Sequence, residues 1–289
     1  MMRPSESPNK CSACKDGIGE PFPFTMAFQP IVDVSSGRVY AFEALVRGPN
    51  NEGAGSILAQ VTEANLYAFD QACRVKAITL AHGLGLAETG AMLSINFMPG
   101  AVYSPAACIQ LTLKTARSTG FPLDRLIFEV TEAEEVIDRG HLVRIVEEYR
   151  KHGFRMAIDD FGAGYSGLNL LAEFRAEILK LDMELTRDLH KRPTALAIVR
   201  SMVELCRTLG TELVAEGVET VNEYVALRGC GIRLMQGYLL AKPGFETLPR
   251  VSMPASDAVE MAELDMRGLL QGGAMQGTGG SREVAFPIL

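Results

Sequence analysis

The chain has 289 residues, 47% of them hydrophobic, and a formal net charge of −7. That is enough apolar material for one large α/β domain, and the acidic balance argues against a protein built to bind a nucleic-acid polymer. No run approaches the roughly 20 apolar residues of a membrane span, and residues 1–23 lack the apolar core of a secretory signal, which points to the cytoplasm.

Residues 1–23 contain one C-x-x-C pair, Cys11 and Cys14. Half a zinc site with no second Cys or His pair beside it reads as a flexible leader carrying two exposed thiols. Residues 26–33 predict a strand, Ser35, Ser36 and Gly37 a turn, and residues 39–47 a second strand. A link that short cannot make a parallel crossover, so these two strands should pair antiparallel. After a loop rich in Gly and Asn at 50–55, Leu66, Phe69, Ala72, Ile78 and Leu80 recur at mixed three- and four-residue spacing and predict a helix over 66–84.

From Met92 a strand–helix unit repeats. Strands are predicted over 92–97, 126–131, 155–161, 177–182, 212–218 and 234–239, with helices over 105–118, 141–152, 168–173, 194–209 and 221–228. Eight strands in this alternation predict an α/β fold, a TIM-like (β/α)8 barrel over residues 24–250 whose opening hairpin is irregular. An open doubly wound sheet would want a glycine-rich turn after the first strand, and Gln29-Pro30 offers none. The tail, 251–289, predicts one helix over 261–270 and then a Gly-rich stretch, 271–281, of disordered composition.

In such a barrel the chemistry collects where the strands end at their C-terminal face. The polar residues at those ends are Gln29, Glu43 with Arg47, Asn96, Glu129 with Glu132, Asp159 and Asp160, Lys180, Glu216 with Glu219, and Gln236. Singly, each has a bland explanation. A buried Glu is commonly hydrogen-bonded scaffolding, a Lys at a strand end snorkels to water, and Asp-Asp-Phe-Gly is ordinary turn chemistry. Together, at least five acids converge on one end of one barrel, where unpaired they would repel one another by on the order of several kcal/mol in a partly dry site. Divalent cations resolve that conflict. The donors are all oxygens and none of the four histidines lies at a strand end, which favours Mg²⁺ or Mn²⁺ over Zn²⁺. With Asp159 and Asp160 adjacent, two ions can share one carboxylate, and metals about 3.5–4 Å apart clamp the attacking and leaving oxygens of a displacement at phosphorus. The pattern points to phosphoester hydrolysis.

The ordered set Phe28-Gln29-Pro30-Ile31, Glu43-Ala44-Leu45-Val46-Arg47, Ile95-Asn96, Phe128-Glu129-Val130-Thr131-Glu132, Asp159-Asp160-Phe161-Gly162-Ala163-Gly164, Lys180-Leu181-Asp182, Ala215-Glu216-Gly217-Val218-Glu219 and Gln236-Gly237-Tyr238 resembles the EAL-domain cyclic di-GMP phosphodiesterases from about residue 24 to 249. The resemblance implies a barrel with an antiparallel first strand and hydrolysis of cyclic di-GMP to linear pGpG. It implies two divalent cations, the first held by Glu43, Asn96, Glu129 and Asp159, the second by Asp159, Asp160 and Glu216, with a water between them as nucleophile. Lys180 would orient that water or stabilise phosphate charge, Arg47 would grip the substrate, and Gln29 and Gln236 would position substrate or water. Glu132 and Glu219 would support the ligands from behind, the former steadying the loop after the fifth strand, which also implies a homodimer. One position departs from the family pattern: Met98 stands where a Ser is usual, so a local hydrogen bond is expected to be lost, without loss of activity. The competing function is a catalytically silent EAL domain acting as a cyclic di-GMP receptor or protein-interaction module. Such domains typically lack some metal ligands, and every expected ligand is present in this sequence.

Overall fold

The computed structural model describes residues 20–131, 139–164 and 167–273. The opening hairpin joins β1 (Thr25–Asp33) to β2 (Arg38–Arg47), antiparallel from Thr25 opposite Arg47 to Asp33 opposite Arg38. Its turn is built by the Asp33 carboxylate, which accepts the Ser35 amide at 2.9 Å, and by Gly37 in the left-handed region.

Next come α1 (Ala54–Leu58), α2 (Leu66–Gly83), α3 (Leu86–Thr89), β3 (Met92–Asn96), α4 (Pro105–Thr119), β4 (Leu126–Thr131), α5 (Arg139–Lys151), β5 (Arg155–Phe161), α6 (Gly167–Glu173), β6 (Ile178–Leu181), α7 (Met183–Thr186) and α8 (Pro193–Leu209). The chain ends with β7 (Glu212–Ala215), α9 (Val221–Gly229), β8 (Leu234–Met235), β9 (Gly244–Phe245) and α10 (Ser256–Gly273). Strands β2 to β8 run parallel in sequence order, and β1 closes the ring by pairing antiparallel with both β8 and β2. The fold is the predicted TIM-like barrel with an antiparallel first strand. Helices α4 and α8 both begin with Pro at their first position, where its missing N–H leaves nothing unpaired, and both end on a left-handed glycine, Gly120 and Gly210.

β3 and β6 fall one or two residues short of their predicted lengths, and two strands stop three or four residues short. β7 stops at Ala215, where Gly217 at φ 64° turns the chain out of the ladder, and β8 stops at Met235. The residues beyond still hold each other: Gln236 donates its amide to Ala215 at 2.9 Å, and Val218 donates to Gln236 at 3.1 Å. Helix α10 starts earlier than predicted and packs Val259 and Met266 onto the core, with Ala262 buried. It takes in the first residues of the Gly-rich stretch; the rest of that stretch lies outside the described residues, as do Cys11 and Cys14. No described helix is long and apolar enough to cross a membrane.

The interior divides into two cores. The larger lies between the sheet and the helices. The smaller plugs the barrel and takes one residue from each of the eight strands: Ile31, Ala41, Met92, Ile127, Ala157, Ile178, Val214 and Leu234.

Candidate metal centre

Side chains alternate faces along a strand, so a step of two residues returns to the same face. Taking that step toward the C-terminal face from each member of the plug, with the sense reversed on antiparallel β1, gives Gln29, Glu43, Ser94, Glu129, Asp159, Lys180, Glu216 and Gln236. One strand layer therefore separates a fully apolar ring from a polar one. All of the polar ring is buried except Glu216, which is half-buried.

Lys180 is the hub of that ring. Its Nζ lies 2.7 Å from Glu216, 2.9 Å from Asp159, 2.9 Å from Glu129 and 3.2 Å from Glu43, with its side chain 1% exposed. Glu43 accepts a second set of bonds, from Asn96 Nδ2 at 3.0 Å and Gln236 Nε2 at 2.9 Å. Glu129 accepts the Ser94 hydroxyl on the oxygen that faces away from Lys180. Asp159 accepts the Asp160 amide at 2.9 Å. Asp160 itself sits at φ 53°, a left-handed conformation that Asp tolerates better than most residues.

The carboxylates form two groups, Glu43–Glu129–Asp159, all buried, and Asp159–Asp160–Glu216, more open. Within each, the facing oxygens lie within 4.8 Å of one another, and Asp159 belongs to both. The electrostatics show the strain of that crowding. Burial and neighbouring acids outweigh Lys180 and push Glu129 up to about 8 and Glu216 well above the carboxylate range. Burial, with the Asp159 charge added, lifts Asp160 to about 6, and burial also raises Asp159. Glu43 is the exception: burial raises it too, but Lys180 and the Gln236 and Asn96 amides bring it below its usual value. Burial would strip Lys180 of its proton, yet the surrounding carboxylates hold it firmly protonated. One ammonium cannot balance five carboxylates, and an oxygen-only donor set in two such groups fits hard divalent cations. The Gln236 Oε1 is buried and without a partner among the described residues, while its Nε2 donates to Glu43.

A pocket of about 290 Å³ opens beside the second group, lined by Gln29, Glu43, Asp160, Asp182, Glu216, Glu219, Gln236 and Tyr238 among others. Gln29 lines it while donating to the Ala241 carbonyl at 3.2 Å. Glu219 lies off the ring, ion-paired to Arg187 at 2.9 Å. Arg47 is not bonded into the ring; its Nη1 donates to the Val46 carbonyl at 2.7 Å. Glu132 falls outside the described residues, as do Tyr165 and Ser166 of the loop after β5. Met98 carries no hydroxyl, but its backbone amide donates to Asp70 at 3.0 Å, so the chain just past Asn96 is pinned through the backbone. Asp70 in turn pairs with the buried Arg74 at 2.7 Å. Ser94 was not among the expected site residues; its only mark in the sequence is a place two before Asn96 on the same strand face.

The EAL domain family model matches residues 22–243. The chain belongs to the EAL domain family. It is similar to the crystal structure of a standalone EAL protein from Vibrio cholerae O395 in its c-di-GMP-bound form, at 51% identity and a TM-score of 0.78, covering 81% of this chain and 98% of that one. The blue light- and temperature-regulated antirepressor BluF of Escherichia coli K12 is 31% identical over 228 residues, 79% of this chain and 56% of BluF. The cyclic di-GMP phosphodiesterase PA2567 of Pseudomonas aeruginosa is 28% identical, covering 80% of this chain and 40% of PA2567. The chain thus spans about half, or less, of the length of these curated relatives.

Proposed function

We propose that this EAL domain hydrolyses cyclic di-GMP to linear pGpG with two divalent cations, Mg²⁺ or Mn²⁺. The observation that carries the reading is Asp159, one carboxylate common to two acidic groups set on a dry apolar plug. The nucleotide named in the Vibrio structure and the activity named for PA2567 support the choice of substrate.

Glu43, Asn96, Glu129 and Asp159 would hold the first ion, and Asp159, Asp160 and Glu216 the second. When bound, the ions would supply Lewis-acid chemistry, lowering the pKa of a coordinated water and polarising phosphoryl oxygens. Lys180, kept charged by its four carboxylates, supplies a fixed positive charge against the phosphate or orients the attacking water. Its surroundings are dry, so that charge acts at low dielectric and needs no reorganisation during the reaction. Arg47 lies at the end of β2 and reaches substrate phosphate by releasing the Val46 carbonyl. Gln29 and Gln236 line the pocket and position the nucleotide. Glu219, braced by Arg187, and Glu132 support the ligand-bearing loops. A homodimer through the loop after β5, a barrel domain over 24–250 and a cytoplasmic location complete the reading.

The name of BluF favours a second reading, in which the domain binds cyclic di-GMP or a protein partner without cleaving anything. Incubating the purified chain with cyclic di-GMP and Mn²⁺, with and without chelator, separates the two. Metal-dependent pGpG supports hydrolysis; nucleotide binding with no product supports the receptor.

A further inference from the structure

Helix α7 is a single turn, and it stands between the two loops that carry the second acidic group. It follows β6 directly. Asp182 donates its amide to the Phe161 carbonyl at 3.1 Å and caps the helix by accepting the Glu184 amide at 2.7 Å. At the other end Thr186 donates its hydroxyl to the Glu216 carbonyl at 2.6 Å. Two glycines receive its side chains. A β-carbon on Gly162 would fall inside Leu185, and one on Gly217 would fall inside Met183. Both glycines are left-handed, at φ 100° and 64°, so no other residue fits either place without strain.

The sheet alone does not fix Asp160. The β5–β6 register slips between Ile158 and Phe161, so Asp160 sits in an irregular segment held by no regular ladder pair. Glu216 lies just past the end of β7, its amide donating to the Leu181 carbonyl at 3.1 Å and its own carbonyl accepting Thr186 of α7. Between the two loops, packed against Gly162 and Gly217, lies α7.

We propose that α7 is a positioning wedge for the second cation. Leu185 and Thr186 hold the β5 and β7 loops at the separation that Asp160 and Glu216 need. The inference rests on the two-cation reading above. Of the first cation's ligands, Glu43 and Glu129 bond to Lys180, Asn96, Gln236 and Ser94, none of them on α7, so the first cation should feel the wedge far less than the second.

The test is a calorimetric Mn²⁺ titration of the full chain for wild type, Leu185→Ala, Leu185→Met and Thr186→Val, with near-ultraviolet circular dichroism as the check on folding. Wild type takes up two Mn²⁺ per chain. Leu185→Ala keeps the first affinity within about twofold and weakens the second by about tenfold or more, the scale expected when support behind a ligand is lost. Thr186→Val weakens the second affinity selectively, and Leu185→Met, which refills the space over Gly162, restores it. Wild-type affinities for both ions in Leu185→Ala overturn the wedge and leave the two-cation reading standing. Equal weakening of both ions makes Leu185 an ordinary packing residue and also overturns it. If Leu185→Ala fails to fold, unchanged affinities in Thr186→Val overturn it instead. A wild-type chain that binds fewer than two Mn²⁺ overturns the two-cation reading and the wedge with it.

Discussion

The Ser94 hydroxyl on β3 donates to Glu129 on β4, while the other oxygen of Glu129 faces Lys180 Nζ at 2.9 Å. A carboxylate gripped on both oxygens cannot rotate, which is what a ligand held ready for a cation requires. Ser94→Ala removes one grip at little cost in volume. Affinity for the first cation should fall by about 10–100-fold, read by Mn²⁺ titration, with the second less affected. Unchanged affinity would mean that Lys180 alone orients Glu129.

Lys180 binds four carboxylates from inside the barrel. Lys180→Met keeps the volume and removes the charge, leaving buried acids facing each other. Metal-free protein should lose on the order of 3–5 kcal/mol of unfolding free energy, the cost of breaking a buried pair. Added cation should return much of that, and turnover should fall far more than nucleotide affinity. Steady-state kinetics beside urea unfolding, with and without Mn²⁺, reads both. A rate equal to wild type would reduce Lys180 to a structural role.

The raised carboxyls predict two pH effects of opposite sign. Glu129 at about 8 and Asp160 at about 6 keep protons that a cation must displace, so metal affinity should climb as pH rises through that window. Stability without metal runs the other way. These groups ionise near 4.5 and 3.8 when unfolded, so the native state binds more protons between those values and about 8 and about 6. Metal-free protein should therefore melt at lower temperature as pH rises across that range, and Mg²⁺ should offset the loss at the alkaline end. Melting curves in chelator and in Mg²⁺ check both signs. A metal-free melting temperature that climbs over this range would contradict the crowding of the ring.

Most of the ring was legible because a charge inside an aliphatic strand is conspicuous: Lys180 in Ile178-Leu179-Lys180-Leu181 has to meet a partner, and its neighbours at the other strand ends are that partner. Ser94 carries no such signal, since a lone hydroxyl costs little to bury beside a backbone acceptor and occurs anywhere in a sheet. The ends of β7 and β8 are not marked in the sequence, because apolar residues continue to Val218 and Leu239; only at β7 does a left-handed glycine, Gly217, turn the chain away. Helix α7 is one turn long, too short to show a helical period, and its fit against Gly162 and Gly217 joins loops far apart in sequence. Arg47 shows the remaining limit: its charge and place on β2 were readable, its bond to the Val46 carbonyl was not.

The most direct test of the account follows cyclic di-GMP incubated with the full chain in Mn²⁺, with products resolved by chromatography, for wild type and Asp159→Asn. Asp159 is the carboxylate shared by both acidic groups, so its loss should weaken both cations together. Linear pGpG is expected from wild type, none in chelator, and none from Asp159→Asn at the same Mn²⁺ concentration. Wild-type protein that binds the nucleotide and two Mn²⁺ yet releases no pGpG, or Asp159→Asn that turns over at the wild-type rate, would contradict it.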